Sequence, residues 1–254
     1  MFDFGKNWRN YSKSLTKTEF DEAIKSLEQL FGPRRLSNKS FIDIGCGSGI
    51  FSIGAHQLGA KPVIGIDVLP SSIQCSIENA VKYNINDIKF KKLSALDPQI
   101  TALGKFDIVY AWGSLHHTGD MWQAIDNATK LVHLDGLLML AIYNKNFMSP
   151  FWKIEKWLYH HSPRIIKWLI ELFYFILVAP LKILIYRRRF FKKKRGMKFY
   201  YDAIDWLGGY PYEYATKSEV IEFLNRRGFK LLKVIPPLGI SGCNQFVFQS
   251  KGNQ

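Results

Sequence analysis

Mostly apolar runs alternate with amphipathic stretches over the first 144 residues. The runs predict five strands, at SFIDIG (40–45), KPVIGID (61–67), IKFKKLS (88–94), FDIVYAWG (106–113) and DGLLMLAIYN (135–144). Helices are predicted between them, at Phe51–Leu58, from Pro70 through Val81, and at Met121–Val132. Strands that alternate with crossover helices form a parallel, doubly wound sheet covered on both faces, so the pattern predicts an α/β fold.

This alternation stops after Asn144 and returns near the C-terminus. Thr216 is a favourable N-cap, with Glu219 three residues later as a capping box, and it begins a helix that Gly228 ends. FKLLKVIPP (229–237) and NQFVFQS (244–250) are two further strands. The chain therefore predicts seven strands, with a helical insert between the fifth and the sixth.

We expect a single domain over 1–254. Its parts are an N-terminal helical lid (1–37), a ligand-binding core (38–144), a basic, aromatic helical insert (145–215) that caps the site, and a closing helix with two strands (216–254).

The insert holds most of the positive charge. The chain of 254 residues has 35 Lys and Arg against 21 Asp and Glu, a net charge of +14, and the segment 153–198 supplies +11 of it. Seven basic residues lie within YRRRFFKKKRG (186–196). A partner attracted by charge should therefore meet this segment, because the rest of the chain is close to neutral.

The insert is also the most apolar part of the chain, notably in WLIELFYFILVAPLKILIY (168–186). A membrane span is disfavoured because Glu171 and Lys182 lie inside this stretch and Pro180 would break or kink a helix. We predict instead two amphipathic helices, 151–161 and 164–186, separated at Ser162-Pro163. Docking on an anionic membrane surface is the favoured interpretation. Packing into the core or a homodimer is the alternative, and nucleic acid is the least favoured partner.

Three cysteines, Cys46, Cys75 and Cys243, form neither an even disulfide set nor a CxxC pair. This usage is typical of a reducing compartment and gives no structural zinc site. The N-terminal MFDFGKNWRNYSKSL lacks the apolar stretch of a signal peptide. We therefore expect a cytoplasmic protein, peripheral on the inner face of the membrane if the insert docks there.

The first strand ends in FIDIGCGSGIFS, where Gly45, Gly47 and Gly49 form G-x-G-x-G before a helix. Glycines let a backbone turn sharply and approach a ligand closely. Asp67 ends the next strand, 22 residues after Gly45, and such a carboxylate can accept hydrogen bonds from both hydroxyls of a ribose. Ser94-Ala95-Leu96 follows the third strand, where an adenine ring would lie.

D-x-G-C-G-S-G with the later acid resembles motifs I and II of the seven-stranded, class I S-adenosylmethionine (SAM)-dependent methyltransferases. The resemblance covers roughly 38–144 and the two closing strands. It implies a Rossmann-like sheet with an antiparallel last strand and SAM across its C-terminal edge. The cofactor residues that it implies, with those above, are Asp43, Gly45, Cys46, Gly47, Gly49, Asp67, Val68, Ser94, Ala95, Leu96 and Trp112. A nicotinamide cofactor would need a different glycine spacing.

AWGSLHHTGDMWQAI, LAIYN and RGMKFYYDAIDWLGGYPYEYA resemble a bacterial subgroup loosely similar to ubiquinone-biosynthesis O-methyltransferases. The resemblance implies methyl transfer from SAM to an oxygen of a small or lipid-linked acceptor, such as a polyprenyl phenol or a sugar. An N-methyltransferase, or a soluble metabolite enzyme whose insert serves dimerisation, is the alternative. A non-catalytic, SAM-binding membrane adaptor is the alternative from another class.

His116 and His117 follow the fourth strand, where an acceptor would lie. Either could remove a proton from a hydroxyl acceptor, since the unperturbed pKa of histidine is near 6.5, and either could instead pack under the sheet edge. We expect no metal site, because adjacent histidines seldom converge on one ion without acidic partners.

Three further features are candidates for the site. Aromatic and acidic residues crowd 200–214, and within them Asp205 and Tyr210 are the acceptor-site candidates, with a packed lid as the alternative. Trp8 and Tyr11 could fold over the cofactor or anchor the core. Cys46 is interpreted as a packing residue within the glycine loop and not as a nucleophile.

Overall fold

A seven-stranded sheet forms the centre of the molecule. The computed structural model describes residues 16–32, 35–181, 183–185, 199–237, 239 and 242–251. The strands, in chain order, are β1 (Phe41–Ile44), β2 (Val63–Asp67), β3 (Lys89–Lys92), β4 (Phe106–Trp112), β5 (Val132–Tyr143), β6 (Phe229–Ile235) and β7 (Cys243–Ser250). Their order across the sheet is β3-β2-β1-β4-β5-β7-β6.

Only β7 runs against the other strands. β1 pairs in parallel with β2 and β4, and β5 pairs in parallel with β4. β7 lies antiparallel between β5 and β6. The predicted doubly wound sheet with an antiparallel last strand is therefore confirmed, and the carboxyl ends of β1, β2 and β4 meet at one edge.

Helices cover both faces of the sheet because each carries one apolar stripe. They are α1 (Lys17–Phe31), α2 (Ile50–Gln57), α3 (Pro70–Lys82), α4 (Met121–Lys130) and α8 (Lys217–Asn225). Phe20, Leu27 and Leu30 of α1 are buried, at the i, i+7 and i+10 spacing of one helix face. α1 lies within the predicted N-terminal lid, whereas Trp8 and Tyr11 lie outside the described residues.

Two predicted boundaries near the fourth helix were wrong. The helix was expected to run through Val132 and the fifth strand to begin at 135, but α4 ends at Lys130 and Val132 already pairs with Phe106 of β4. Val132 is β-branched and buried, so it fits the sheet better than a helix end. The capping box at Thr216 and Glu219 is present as predicted.

The described residues of the insert form three helices. α5 (Ser149–His161) is followed at Ser162-Pro163 by α6, which begins as Arg164–Phe173, passes through a wider turn at Tyr174–Val178 and continues to Ile185. α7 is Phe199–Gly208. The two predicted helices and the break between them are confirmed, and the basic run 186–196 lies outside the described residues.

Pro180 does not end α6. Proline lacks an N–H and its ring clashes with the carbonyl four residues earlier in a regular helix. Just before it, the Ala179 N–H donates to the carbonyl of Tyr174, five residues earlier, which is the bond of a π-type turn. The wider turn accommodates the proline, so the helix continues.

Among the described residues one helix, Arg164–Ile185, is long and apolar enough to cross a membrane by length and composition alone. Only 12% of its most apolar stretch is buried within the protein. Tyr174 and Ala179 are the residues of this helix that join a buried cluster, together with Tyr159 of α5 and Ala203 and Leu207 of α7.

Candidate functional site

The glycine loop turns tightly between β1 and α2. Gly45, Gly47 and Gly49 have φ of +79°, +58° and +76°, a region that L side chains rarely adopt. The N–H groups of Gly45 and Cys46 both donate to the carbonyl of Ile66 on β2. The loop is thereby fixed at the carboxyl edge of the sheet, beside the N-terminus of α2.

Asp67 reaches this loop from the end of β2. Its Oδ2 accepts the Gly47 N–H at 3.0 Å and its Oδ1 accepts the Leu69 N–H at 2.9 Å. Burial raises the pKa of the carboxyl, and the backbone donors oppose that rise. A carboxylate offers about four acceptor positions, so Asp67 retains acceptor capacity for hydroxyl donors. Its neighbour Val68 is 38% exposed.

Asp43 is a buried carboxyl on β1, two residues before the loop. Ser52 Oγ on α2 donates to its Oδ2 at 2.7 Å. Burial raises the pKa of Asp43 to about 7, against the lowering effect of the Ser52 hydrogen bond, and the negative charge of Asp67 raises it further. A cationic group bound nearby would favour the ionised form.

Helix α3 holds the loop from the other side, a role that was not predicted. Asn79 Nδ2 donates to the Ser48 carbonyl at 2.8 Å, and Ser76 Oγ donates to the Gly47 carbonyl at 3.0 Å. The signal in the sequence is a set of small polar residues, Ser72, Ser76 and Asn79, at the i, i+4 and i+7 spacing of a buried face. Such a face is normally apolar.

Cys46 is buried within this loop, with its Sγ 3.6 Å from Ser76 Oγ. Burial raises the pKa of its thiol, and the charges of Asp43 and Asp67 raise it further. The thiol is therefore protonated at neutral pH, which agrees with its interpretation as a packing residue.

Ser94, Ala95 and Leu96 form a turn beside Asp67. The Leu93 N–H donates to the Asp67 carbonyl at 3.0 Å, and the Leu96 N–H donates to Ser94 Oγ at 3.1 Å. Asn127 Nδ2 of α4 donates to the Ala95 carbonyl at 2.9 Å. The structure therefore brings the predicted adenine residues next to the predicted ribose carboxylate.

Trp112 ends β4, which lies on the other side of β1 and its glycine loop from β2 and Asp67. It is followed by Gly113, at a φ of +71°, and by Ser114, whose Oγ donates to the Ile44 carbonyl at 2.6 Å. A Cβ on Gly45 would lie 2.3 Å from Ser114 Cβ. The end of β4 and the glycine loop are thus in direct contact, as the parallel sheet requires.

His116 and His117 lie in a short 3₁₀ turn, Leu115–His117, and both are buried. His117 Nδ1 lies 2.7 Å from the Pro211 carbonyl, so Nδ1 carries the proton and donates. Burial lowers the pKa of His117 to about 4, and it lowers the pKa of His116 well below its usual value. Both imidazoles are therefore neutral at pH 7.

The segment 209–213 docks the insert onto this turn. The Glu213 N–H donates to the His116 carbonyl, while the Glu213 carboxylate accepts the N–H groups of Gly119 and Met121. A Cβ on Gly209 would lie 2.7 Å from His117 Cε1, so glycine is required for this approach. The insert is thus held against the edge of the sheet at the histidines.

An aromatic cluster, defined as Tyr143, Trp152, Trp206 and Tyr212, lies beside the histidines. The Tyr143 ring is 4.0 Å from that of His116, and it contacts Trp206 and Tyr212 at 5.4 and 4.9 Å. Lys156 of α5 is fully buried, with its Nζ 4.2 Å from the centre of the Trp206 ring. No pattern in the sequence predicts that this lysine is buried.

The acceptor candidates from the 200–214 segment diverge. Tyr210 stacks on His160 at the end of α5, with ring centres 5.3 Å apart. Asp205 lies on α7, where its carbonyl approaches Gly209. Within the described ranges no group of three metal-binding side chains occurs. The roles of Asp205 and Tyr210 stay predictions.

Residues 35–175, more than half of the chain, match a family described as a methyltransferase domain. The ubiquinone biosynthesis O-methyltransferase of Neisseria meningitidis serogroup A is 29% identical over 130 residues, 51% of this chain and 55% of the relative. The ribosomal protein L11 methyltransferase of Colwellia psychrerythraea is 43% identical over 76 residues, 30% of this chain and 25% of the relative. The chain thus spans about half or less of these relatives.

Solved structures share the fold at low identity. Magnesium protoporphyrin IX methyltransferase from Synechocystis PCC 6803, solved with bound SAM, is 14% identical, with a TM-score of 0.58 over 97% of this chain and 90% of that one. PKMT2 from Rickettsia typhi is 15% identical, with a TM-score of 0.61 over 92% of this chain and 54% of that one. At these identities the likeness establishes the fold.

Proposed function

The chain belongs to the methyltransferase domain family, and from that premise we propose that it transfers a methyl group from SAM to an oxygen of a small or lipid-linked acceptor. The observation that supports SAM as the methyl donor is the contact between the glycine loop and Asp67. Gly47 has a positive φ and its N–H bonds the Asp67 carboxylate, so a ligand that meets one meets both.

The residues present fit this donor. Asp67 would hold the ribose hydroxyls, and the Ser94–Leu96 turn lies beside it for the adenine. Asp43, with its pKa of about 7, would be ionised by a nearby methionine ammonium group. When bound, SAM supplies an activated methyl group, so the protein has mainly to position the acceptor and exclude water.

The histidine turn and the aromatic cluster are the proposed acceptor side. Tyr143, Trp206 and Tyr212 offer ring faces to a phenol or a sugar ring. We propose His117 as the base that takes the proton of an acceptor hydroxyl, because its imidazole is neutral at pH 7 and its Nδ1–H, which donates to the Pro211 carbonyl, fixes the orientation of the ring. The likeness to an O-methyltransferase supports an oxygen acceptor.

Donor binding is tested by calorimetry with SAM and with S-adenosylhomocysteine. We expect Asp67→Asn to weaken both at least about tenfold, because a charge-assisted hydrogen bond contributes about 1.5–3 kcal/mol. Asp107→Asn is the matched control, because Asp107 bonds Ser40 at the opposite end of β1. Wild-type protein that is folded and takes up neither compound would refute the proposal.

Transfer is tested by incubating the protein with methyl-labelled SAM and a bacterial extract. A labelled methyl ether in the lipid fraction supports a lipid-linked acceptor, and one in the aqueous fraction supports a small acceptor. Label on nitrogen would refute the oxygen assignment. His117→Asn keeps a donor for the Pro211 carbonyl but removes the imidazole, so it should lower transfer by about 10²–10⁴ while donor affinity is unchanged.

A further inference from the structure

Helix α6 turns most of its apolar side chains away from the protein. Ten of them are 40% exposed or more, and we call this set the apolar face of α6. It comprises Ile165, Trp168, Leu169, Leu172, Phe173, Ile176, Leu177, Leu181, Leu184 and Ile185. A helix on the surface of a water-soluble domain normally has the opposite arrangement, with its apolar stripe against the core.

Two charged side chains of α6, Glu171 and Lys167, turn inward, whereas Arg164 at the start of the helix is exposed. Glu171 accepts a hydrogen bond from the Tyr159 hydroxyl at 2.6 Å, and the Lys167 Nζ lies 5.7 Å from the centre of the same ring. Tyr159 is a buried residue of α5. Glu171 and Lys167 are therefore kept off the outward face, which lowers the electrostatic cost of contact between this face and lipid.

The wider turn at Tyr174–Val178 keeps this face together. In a regular helix, positions four apart advance around the axis by about 40°, since each residue turns about 100°. The apolar face of α6 consists of two rows of residues spaced four apart. In a regular helix these rows would wind around the axis along its length. A turn with more residues reduces that drift. The two halves of α6 therefore present their apolar residues nearer to one side.

Helix α5 adds further exposed apolar residues next to α6. Ile154, Trp157 and Leu158 are 67%, 50% and 48% exposed, and Phe151 is 56% exposed. Trp157 and Trp168 are the ring type that is enriched where membrane meets water. Exposed apolar surface spread over two helices exceeds what isolated surface side chains explain.

The charge that follows α6 identifies the partner. In the sequence, seven Lys and Arg within nine positions, 187–195, follow the described part of α6 and precede α7 at Phe199. Each basic residue near an anionic membrane surface contributes attraction. A second copy of this chain would bring a segment of the same charge, which opposes a symmetric dimer at this face.

We propose that α6 lies in the plane of an anionic lipid membrane, with its apolar face in the acyl boundary. A helix of this composition in the interface buries its apolar side and keeps its other side in contact with protein or water. An arrangement in the plane is favoured over a spanning one, because Tyr174 and Ala179 share a buried cluster with Ala203 and Leu207 of α7, which holds the middle of α6 against the domain. This proposal does not rest on methyl transfer.

The test is flotation with vesicles of phosphatidylcholine alone and with about 30% phosphatidylglycerol. We expect binding to the anionic vesicles at least tenfold tighter than to the neutral ones, and weaker binding as salt is raised. The variant Ile165→Glu with Ile176→Glu should lose at least tenfold in affinity. The control, Leu134→Glu with Val81→Glu, changes residues of similar exposure outside the insert and should bind like wild type.

Circular dichroism establishes that each variant is folded before flotation. Brominated acyl chains should quench the fluorescence of wild-type protein, and a Trp157→Phe, Trp168→Phe variant should lose most of that quenching. Wild-type protein that floats with neither vesicle overturns the proposal. Equal vesicle binding by the Ile165→Glu, Ile176→Glu variant and by wild type also overturns it. A third contrary result is a wild-type protein that binds no vesicles and forms a dimer which this variant dissociates.

Discussion

Replacing Asp43 by asparagine should stabilise the ligand-free protein at neutral pH. The carboxyl is buried and its pKa is raised to about 7, so above that pH the native state holds a buried negative charge. Asparagine has nearly the same shape and keeps an oxygen to accept the Ser52 hydroxyl, now 2.7 Å from the carboxylate. The substitution removes the charge and little else.

The magnitude follows from the two pKa values. Each pKa unit corresponds to about 1.4 kcal/mol, so raising the pKa from 3.8 to about 7 lowers stability by at most about 4 kcal/mol. The native state binds the proton more tightly than the unfolded chain, so wild-type stability falls as pH rises from about 4 to about 7 and is level above that. The advantage of Asp43→Asn should therefore be about 1 kcal/mol near pH 4.5 and about 4 kcal/mol near pH 8.

Urea unfolding at these two pH values measures the difference. Asp126→Asn is the control, because Lys130 and Arg227 lower the pKa of Asp126 below 3.8. Its contribution is already present above pH 4, so this variant should lose stability at both pH values. An Asp43→Asn advantage that does not grow with pH would refute the raised pKa. Asp43→Asn should also bind S-adenosylhomocysteine more weakly than wild type, because asparagine cannot form an ion pair with the ammonium group of the ligand.

Three further predictions concern the site and its frame. Gly45→Ala should abolish donor binding and destabilise the protein, because its Cβ would lie 2.3 Å from Ser114 Cβ. Gly104→Ala, at a similar positive φ but in open space, should cost only backbone strain. Thermal unfolding compares the stability of the two variants, and calorimetry compares their donor binding. Thr216→Ala removes the capping box of α8 and should cost about 1 kcal/mol in urea unfolding. With the donor saturating, transfer should be level between about pH 5.5 and 8 if His117 is the base, because its pKa is about 4; a decline near pH 6.5 would contradict that assignment.

The sequence predicted those features that depend on local pattern. Apolar runs and glycine turns located the strands, and the spacing of Gly45 and Asp67 placed the donor residues at one edge because parallel strands end together. The break at Ser162-Pro163 separated the insert helices correctly. Each of these signals lies within a single strand, turn or helix, or between two elements that follow each other in the chain.

Features that depend on distant contacts were not predictable. Lys153 and Lys156 look alike on α5, yet Lys156 is fully buried against Trp206, since only the position of α7 decides which lysine is covered. The locking of His117 by Pro211 likewise joins residues 94 positions apart. Single-residue propensities contain no information on such pairs.

Both edge strands of the sheet, β3 and β6, are protected against pairing with a strand of another molecule. Three of the four residues of β3 are lysines, and charged side chains on an edge oppose pairing with another chain. At the other edge, the ladder of β6 shifts register between Leu231 and Lys233, and the Lys233 Nζ donates to the Gln29 carbonyl of α1. Growth of the sheet from one molecule to the next is thus blocked at both ends, and concentrated samples should gain no infrared signal of intermolecular β-structure.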